Sequence, residues 1–236
     1  MHPLITSARA AGRTALTEVE AKALLAGLGI AVPRGALARS EDEALAVARR
    51  LDMPMVLKVV CPGLTHKSDV GGVLLPVAPD AVPGAYRRLL ERVRTHLPDA
   101  QPDGVLVEEF IEGGVECILG FTRAGRFGPV VMFGLGGVFV EALDAVSFRL
   151  APLGLEEAAE LLQDTPGTRC LDGFRGRPAA SRDALSRAVV AVGSIGQNPA
   201  FRAVREVDIN PLLALPDRVV ALDAVIMLQA EGENDA

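Results

Sequence analysis

Short β-prone runs alternate with helix-start signals along most of this chain. Thr17 and Ser40 each begin an S/T-x-x-E capping box, in which a hydroxyl and a carboxylate bond to amides at a helix start. We predict helices over about 17–28, 40–53, 82–97, 155–162 and 182–195. We predict strands over about 55–60, 73–77, 105–110, 116–122, 129–133, 148–151, 204–209 and 219–223. This interleaving predicts an α+β or mixed α/β fold.

Composition excludes several functions. The 236 residues carry a net charge of −6, whereas nucleic-acid binding needs a basic face that neutralises phosphates. No apolar run approaches the ~18 residues that span a bilayer, and the first residues lack the apolar core of a secretory signal. We therefore expect a cytoplasmic protein without nucleic-acid or membrane partners. Cys61, Cys117 and Cys170 lack metal-binding spacing, so we expect buried reduced thiols.

Lysine is rare in this sequence. Only three of the 24 Lys and Arg residues are lysines, namely Lys22, Lys58 and Lys67. Because arginine fills the ordinary surface positions, each lysine is a candidate for a place that needs a compact ammonium group. Lys58 lies in the apolar run VLKVV, where a buried charge needs an anion. The alternative is an edge-strand lysine whose ammonium group reaches water.

The segment THKSDVGG, residues 65–72, combines a cation, an imidazole, hydroxyls and two glycines. Gly71 and Gly72 would let backbone amides approach a phosphate, and Lys67 would screen charge that develops during phosphoryl transfer. The ring of His66 can attack phosphorus or donate a hydrogen bond to a phosphate oxygen. The alternative is a solvated polar histidine in a loop.

Two further signals are less specific. Glu108, at a strand end, and Glu116, eight residues later, can bind ribose hydroxyls or an adenine amino group, although such carboxylates often only face water. The run Gly134-Leu-Gly-Gly137 follows an apolar strand and fits either a phosphate-facing loop or an ordinary tight turn. The sequence contains no P-loop motif.

The run EVDINPL predicts a strand with one polar face. Glu206, Asp208 and Asn210 alternate with Val207 and Ile209, so the oxygen-bearing side chains share one face and the apolar ones point to the core. The short connection that follows would bring Asp223 beside Asn210 in a hairpin. Mg²⁺ takes one or two protein oxygens, waters and nucleotide phosphates, so these side chains suffice. The alternative is a polar strand face in water.

Taken in order, VLKVV, THKSDVGGV, VLVEEFIEGGVE, VVMFGLGGVFVE, SFRLAPL and EVDINPL with VALD resemble the ATP-grasp half of ADP-forming acetyl-CoA (acyl-CoA) synthetases. They resemble the β subunit of succinyl-CoA synthetase more distantly. The resemblance covers about residues 16–228 and implies an ATP-grasp fold of two α+β lobes with a nucleotide cleft between them. We expect an N-terminal extension over 1–16, an N-terminal lobe over 17–107, a C-terminal lobe over 108–229 and a disordered tail over 230–236.

The resemblance also implies which residues hold ATP or ADP. Those expected to contact or cover the phosphates are Lys58, Ser68, Gly71, Gly72, Gly136 and Gly137. Those expected to meet adenine, ribose or the polyphosphate are Glu108, Phe110, Ile111 and Glu116. The implied Mg²⁺ ligands are Asn210 and Asp223, with Asp208 close by.

Three residues are implied in catalysis. In this family a histidine at the position of His66 is proposed to receive phosphate directly or to pass it on. Lys67 and Arg149 are candidates for neutralising charge on the transferred phosphoryl group.

The implied reaction is acyl-CoA + ADP + phosphate ⇌ acid + CoA + ATP, through an acyl phosphate and a phosphohistidine. The family's CoA-binding domain and swinging histidine loop have no counterpart in this sequence. We therefore expect a CoA-binding α subunit or domain that carries a phosphorylatable histidine, in a hetero-oligomer. One alternative is a non-catalytic, nucleotide-binding regulatory module, and another is a self-sufficient ATP-grasp carboxylate ligase.

Overall fold

The computed structural model describes residues 1–61, 64, 67–123, 127–137, 146–173, 176 and 178–230. In these residues the helices are α1 (Pro3–Ala10), α2 (Glu18–Gly27), α3 (Glu41–Leu51), α4 (Val82–His96), α5 (Leu155–Asp164) and α6 (Arg182–Ser194). The first strands are β1 (Gly35–Ala38), β2 (Met55–Val60), β3 (Val73–Val77), β4 (Gly104–Glu109) and β5 (Val115–Thr122). The others are β6 (Val130–Leu135), β7 (Val146–Leu150), β8 (Val204–Ala214), β9 (Val219–Ala221) and β10 (Ala224–Leu228). The predicted α+β class is confirmed.

The chain forms two compact units. One unit is Pro33–Glu112, and the other combines Met1–Val32 with Gly113–Ala236. Below, the first is called the small unit and the second the large unit.

The small unit is an antiparallel sheet of four strands in the order β1-β4-β2-β3. The helices α3 and α4 bury apolar residues against it, including Ala44, Ala48, Ala85 and Leu89. Full burial of one side chain the size of Leu89 stabilises the fold by about 2 kcal/mol. At the start of α3 the Ser40 hydroxyl accepts the amide of Glu43, but the Glu43 carboxylate accepts the amide of Arg39. Only half of the predicted capping box therefore forms there.

The large unit is built on a six-stranded antiparallel sheet in the order β10-β8-β5-β6-β7, with β9 beside β8. Alternate residues of its strands, such as Leu119, Phe121, Val131 and Val207, point to one face. There they pack in one core with residues of α5 and α6. The opposite face, called the outer face below, carries Ile118, Gly120, Thr122, Val130, Met132, Phe148, Glu206, Asp208 and Asn210.

Arg123 fixes the end of α6 to the start of β8. Its guanidinium donates to the carbonyls of Ile195 at 2.7 Å, Gly196 at 2.8 Å and Val204 at 2.9 Å. Carbonyls at a helix C-terminus have no partner inside the helix, so a cationic side chain that bonds them stabilises that end. One side chain therefore satisfies acceptors from two elements.

Residues 1–32 belong to the large unit, which differs from the predicted lobes over 17–107 and 108–229. The Leu16 amide donates to the Ile226 carbonyl at 2.9 Å, and the Ala221 amide donates to the Ala31 carbonyl at 2.9 Å. Leu24 and Leu25 on α2 are fully buried in the large core. The capping box at Thr17 forms as predicted. A capping box marks only the start of a helix, so it could not predict which sheet α2 packs against.

The C-terminal strands also differ from the prediction. β8 runs five residues past the predicted end at 209, to Ala214, and β10 was not predicted. Asp223 consequently lies in the bend between β9 and β10 rather than at the end of a strand. β10 pairs with β8 over Ala224–Leu228, which completes the edge of the sheet.

Candidate functional site

Lys58 lies on a central strand, because β2 has β4 on one side and β3 on the other. The edge-strand alternative is therefore wrong. The register opposes Val56 to Glu108, which makes Lys58 and Glu108 diagonal neighbours on one face. Their Nζ and Oε2 atoms are 3.5 Å apart, and the two side chains are 9% and 4% exposed. A buried ammonium needs such an anion to offset the loss of its hydration.

The other two lysines are buried as well. Lys22 on α2 lies 2.8 Å from the Glu18 carboxylate, with both side chains almost fully buried. Lys67 is 6% exposed. The sequence-based expectation that lysine is kept for special positions thus agrees with the burial of all three.

The 67–72 loop is held against β2. Lys67–Val70 form a short 3-10 helix, and the Gly72 amide donates to the Lys67 carbonyl at 2.8 Å. The Gly72 carbonyl accepts the Val59 amide at 2.9 Å. A Cβ atom at Gly72 would lie 2.7 Å from Val59 Cγ1, so only glycine fits there. His66 and the side chain of Ser68 lie outside the described part of the chain, and their roles stay predictions.

The residues predicted to meet adenine follow β4. The Phe110 amide donates to the Pro54 carbonyl at 2.9 Å, so this donor is used inside the protein. Phe110 and Ile111 are half-buried. Since the Glu108 carboxylate lies beside Lys58, its first role in this structure is that of a counter-ion. The predicted contacts of these residues with adenine stay predictions.

On the outer face of the large unit, β8 presents the predicted row of oxygen-bearing side chains. Val207 and Ile209 are buried in the core, Glu206 and Asn210 are exposed, and Asp208 is half-buried. The strand alternation inferred from EVDINPL is therefore present in the structure.

Asp223 is a neighbour of Asn210, as the predicted hairpin required. The Asn210 amide donates to the Asp223 carbonyl at 3.2 Å, and Ala224 pairs with Ile209 in the sheet. The Asp223 Oδ1 atom accepts the amide of Ala224 at 2.8 Å. That hydrogen bond restrains the carboxylate next to the polar row of β8.

Glu116 and the two glycines after β6 form another part of the large unit. The Gly136 amide donates to the Glu116 carbonyl at 2.7 Å, and a Cβ atom at Gly136 would lie 2.9 Å from Glu116 Cβ. Gly137 has a φ of +64°, and its missing Cβ position is 3.4 Å from Glu116 Oε2. The glycines thus let the β6 end approach Glu116 closely.

A row across four strands of the outer face was missed by sequence reasoning. The registers align Asp208, Gly120, Met132 and Phe148 on β8, β5, β6 and β7. Gly120 has no side chain, and a depression of about 340 Å³ lies over this region, bounded by acidic residues on β8 and apolar ones on β6 and β7. None of the described lining residues is basic. The sequence shows only that Gly120 interrupts a run of apolar residues. Its place beside Asp208 and Met132 depends on the strand register.

Arg149 is not part of the outer face. It pairs with Val131, whose side chain points into the core, whereas its neighbour Phe148 lines the depression. The Arg149 guanidinium forms an ion pair with the Asp164 carboxylate at the end of α5. The predicted role for Arg149 at the γ-phosphate stays a prediction.

The donor set of the large unit fits Mg²⁺ bound together with a nucleotide. Asp208, Asn210 and Asp223 offer hard oxygen ligands, which this ion prefers. In the described part of the chain, no three His, Cys, Asp or Glu side chains are grouped closely enough to hold a metal ion alone. Waters and phosphates usually complete the Mg²⁺ shell, so a partial protein set is the expected arrangement.

The three cysteines are free thiols. Only Cys117 is fully buried, and burial raises its pKa to about 12. Cys61 and Cys170 are half-buried, so the expectation of buried thiols holds for one of the three. Separately, no helix in the described residues is long and apolar enough to cross a membrane.

A buried lysine and a glycine loop thus lie on one sheet, and metal-suited oxygens lie on another. Residues 7–228 match the model of the family described as ATP-grasp domain. The chain belongs to this family, and the predicted fold is confirmed.

Two relatives specify the kind of ATP-grasp protein that this chain resembles. The chain is 39% identical over 226 residues to the β subunit of ADP-forming acetate–CoA ligase I from Pyrococcus furiosus, covering 95% of this chain and 96% of that subunit. The ADP-forming succinate–CoA ligase β subunit of Halobacterium salinarum is 31% identical over 227 residues, or 92% of this chain and 56% of that one. Both predicted relationships are confirmed.

A solved structure supports the same relationship. The dinucleotide-forming acetyl-coenzyme A synthetase 1 of Ca. Korarchaeum cryptofilum, in complex with coenzyme A, Ca-AMPCP and HgCl⁺, has a TM-score of 0.92 and 42% identity. The match covers 96% of this chain and 98% of that chain. The prediction of an ATP-grasp ligase subunit is confirmed. The chain also spans about 30% of the length of the ADP-forming acetate–CoA ligases I and II of Archaeoglobus fulgidus.

Proposed function

We propose that this chain is the ATP-binding, phosphoryl-transferring subunit of an ADP-forming acyl-CoA ligase. The overall reaction is acyl-CoA + ADP + phosphate ⇌ acid + CoA + ATP. The observation that carries this proposal is the oxygen row of β8 with Asp223 beside Asn210. The Asp223 backbone carbonyl accepts the Asn210 backbone amide, and the Asp223 carboxylate, which accepts the Ala224 amide, adds another hard oxygen to this part of the large unit.

Asn210 and Asp223, with Asp208 nearby, would hold the Mg²⁺ that accompanies ATP or ADP. Mg²⁺ neutralises charge on the phosphates when it is bound. Lys58 and Lys67 supply ammonium groups, and the amides of the 67–72 loop supply donors, so that the transferred phosphoryl group is positioned and its charge balanced. Two solved structures of one relative support the ligand assignment, since complexes of the Korarchaeum protein contain Ca-AMPCP and Mg-AMPPCP.

The phosphoryl acceptor is a histidine rather than a free carboxylate. A small carboxylate substrate needs a cationic partner, and the depression on the outer face has acidic and apolar but no basic lining among its described residues. An imidazole can instead pack on Met132 and Phe148 and donate to a carboxylate. In this proposal His66 receives the phosphate or passes it on. A self-sufficient ATP-grasp carboxylate ligase agrees less well with the lining of the depression.

A partner completes the reaction. The relatives of equal length are β subunits, and structures of the Korarchaeum protein contain coenzyme A and a phosphorylated phosphohistidine segment. This chain therefore acts in a hetero-oligomer with a CoA-binding subunit or domain that carries a phosphorylatable histidine. A cytoplasmic location, where such substrates are available, belongs to the same proposal.

Incubation with γ-labelled ATP and Mg²⁺ tests the proposal. We expect acid-labile, base-stable label on the chain or on a supplied α subunit of a related ligase, and we expect it to fall strongly in His66→Ala. Asp217→Asn, which alters an exposed carboxylate paired with Arg218, is the matched control. Magnesium-dependent nucleotide binding without any label would instead support the regulatory module.

A further inference from the structure

Arg92 on α4 covers the 67–72 loop from outside the proposed site. Its Nη1 atom lies 3.4 Å from the Gly71 carbonyl oxygen. Its Cδ and Nη1 atoms lie 3.3 Å and 3.5 Å from the position that a Cβ atom would take at Gly71. The stem and guanidinium of Arg92 therefore lie directly over the glycine.

The helix that carries Arg92 is well anchored. Leu89 and Val93, on the two sides of Arg92 in the sequence, are fully buried, and the His96 ring contacts the Arg92 carbonyl through Nδ1 at 2.9 Å. A packed helix holds the start of this side chain still, so the guanidinium can add a restraint to the 67–72 loop.

The guanidinium of Arg92 is used differently from those of two other arginines in the small unit. Arg87, one turn earlier, forms an ion pair with Glu41, and Arg34 forms one with Glu109 at 2.7 Å. In the described residues Arg92 has no carboxylate partner, and its hydrogen bond goes to the loop carbonyl. Its charge is thus directed at the segment that contains Lys67.

We infer that Arg92 is a positioning residue for phosphoryl transfer, which holds Gly71, and through it Lys67, in the arrangement that meets the phosphates. This inference rests on the proposed function of the loop. Arg92 itself does not touch the phosphoryl group, so its loss lowers kcat more than it raises KM for the nucleotide.

Gly71 is the other half of this contact. Its φ of +62° favours glycine, and an added methyl group would meet Arg92 Cδ. Gly71→Ala and Arg92→Gln disturb the same contact, so their effects on kcat will not add, and the double variant will resemble the worse single variant.

Hydrogen exchange of the free chain tests the inference without substrates. In Arg92→Gln we expect the Gly72 amide, which bonds the Lys67 carbonyl, to exchange about tenfold faster, while amides of β4 keep their rates. Arg94→Gln, on the same helix and exposed, is the matched control and leaves the Gly72 amide unchanged.

Kinetics supply the second readout. We expect kcat of Arg92→Gln to fall about tenfold with KM for ATP nearly constant. Low concentrations of guanidinium ion should restore part of the activity of Arg92→Ala. Equal Gly72 exchange and equal kcat in the Arg92→Gln and Arg94→Gln variants would overturn the inference, as would faster exchange throughout residues 33–112. If the wild-type chain transfers no phosphate, the proposed function fails, but the exchange result still decides whether Arg92 holds the loop.

Discussion

The two units handle their charged site residues in opposite ways. In the small unit Lys58, Lys67 and Glu108 are buried, at 7%, 6% and 3% exposure. In the large unit the oxygens of Glu206 and Asn210 remain exposed and Asp208 and Asp223 are half-buried. A buried charge is costly unless its partner is fixed beside it, whereas a surface carboxylate keeps its water until a cation displaces it. The charged groups of the small unit are therefore preorganised, whereas those of the large unit would be ordered by the proposed metal and nucleotide.

The largest effect is expected at the proposed Mg²⁺ ligands of the large unit. Asn210→Ala combined with Asp223→Asn should lower Mg²⁺-dependent turnover by about a thousandfold, roughly 4 kcal/mol in the barrier. The free energy of unfolding should change by less than about 1 kcal/mol, since these side chains are not in the core. Turnover assays and urea unfolding measure the two quantities. If the double variant loses much stability while its folded fraction turns over normally, these large-unit residues support the fold and do not bind the metal.

The next effect belongs to the small unit. Lys58→Met removes the cation beside a buried carboxylate and should lower the free energy of unfolding by about 3 kcal/mol, in addition to weakening nucleotide binding. Lys58→Met with Glu108→Leu should recover most of the stability but none of the binding. Arg87→Met, which breaks an exposed ion pair with Glu41, should cost less than about 1 kcal/mol. Equal losses in urea unfolding for Lys58→Met and Arg87→Met would contradict the role of burial.

A smaller effect is expected at the depression on the outer face. A Cβ atom at Gly120 would lie 3.1 Å from the flexible Cε of Met132, so the fold should accept substitution. Gly120→Val should slow phosphoryl transfer about thirtyfold by filling the space for the acceptor, with nucleotide affinity by calorimetry unchanged. Gly120→Ala should lie between the wild type and the valine variant. If transfer is unaffected while affinity falls, the depression holds the nucleotide instead.

The smallest effect concerns an ion pair that is more exposed than that of Lys58. The Arg13 guanidinium bonds both oxygens of Glu20 at 2.6 Å and 2.8 Å, and it lowers the pKa of Glu20 below its ordinary value of 4.5. A lowered pKa in the folded state stabilises above the unfolded-state pKa, and this contribution is lost as pH falls through the folded value. Glu20→Gln should cost about 1 kcal/mol at pH 7.

Urea unfolding at pH 7, 5 and 3 checks this pH dependence. The difference between the wild type and Glu20→Gln should persist at pH 5 and shrink towards pH 3. A difference that grows as the pH falls would mean that the carboxylate is not stabilised in its charged form.

Much of this site could be predicted because its signals are local. The strand alternation in EVDINPL placed Val207 and Ile209 in the core and the oxygens on the other side, and the glycine pair of the 67–72 loop marked a tight backbone approach. Arg149 could not be placed, because the face of an isolated strand residue depends on the register with β6. The same register decided which side chains lie beside Gly120.

By itself the sequence determined the class of fold, the starts of α2 and α3 and the polar face of β8, since capping and side-chain alternation act within a few residues. Only the tertiary structure decided that β2 is a central strand, that Lys58 lies beside Glu108 and that residues 1–32 join the large unit. Those outcomes depend on backbone hydrogen bonds and apolar burial between segments far apart in the chain, which no local pattern encodes.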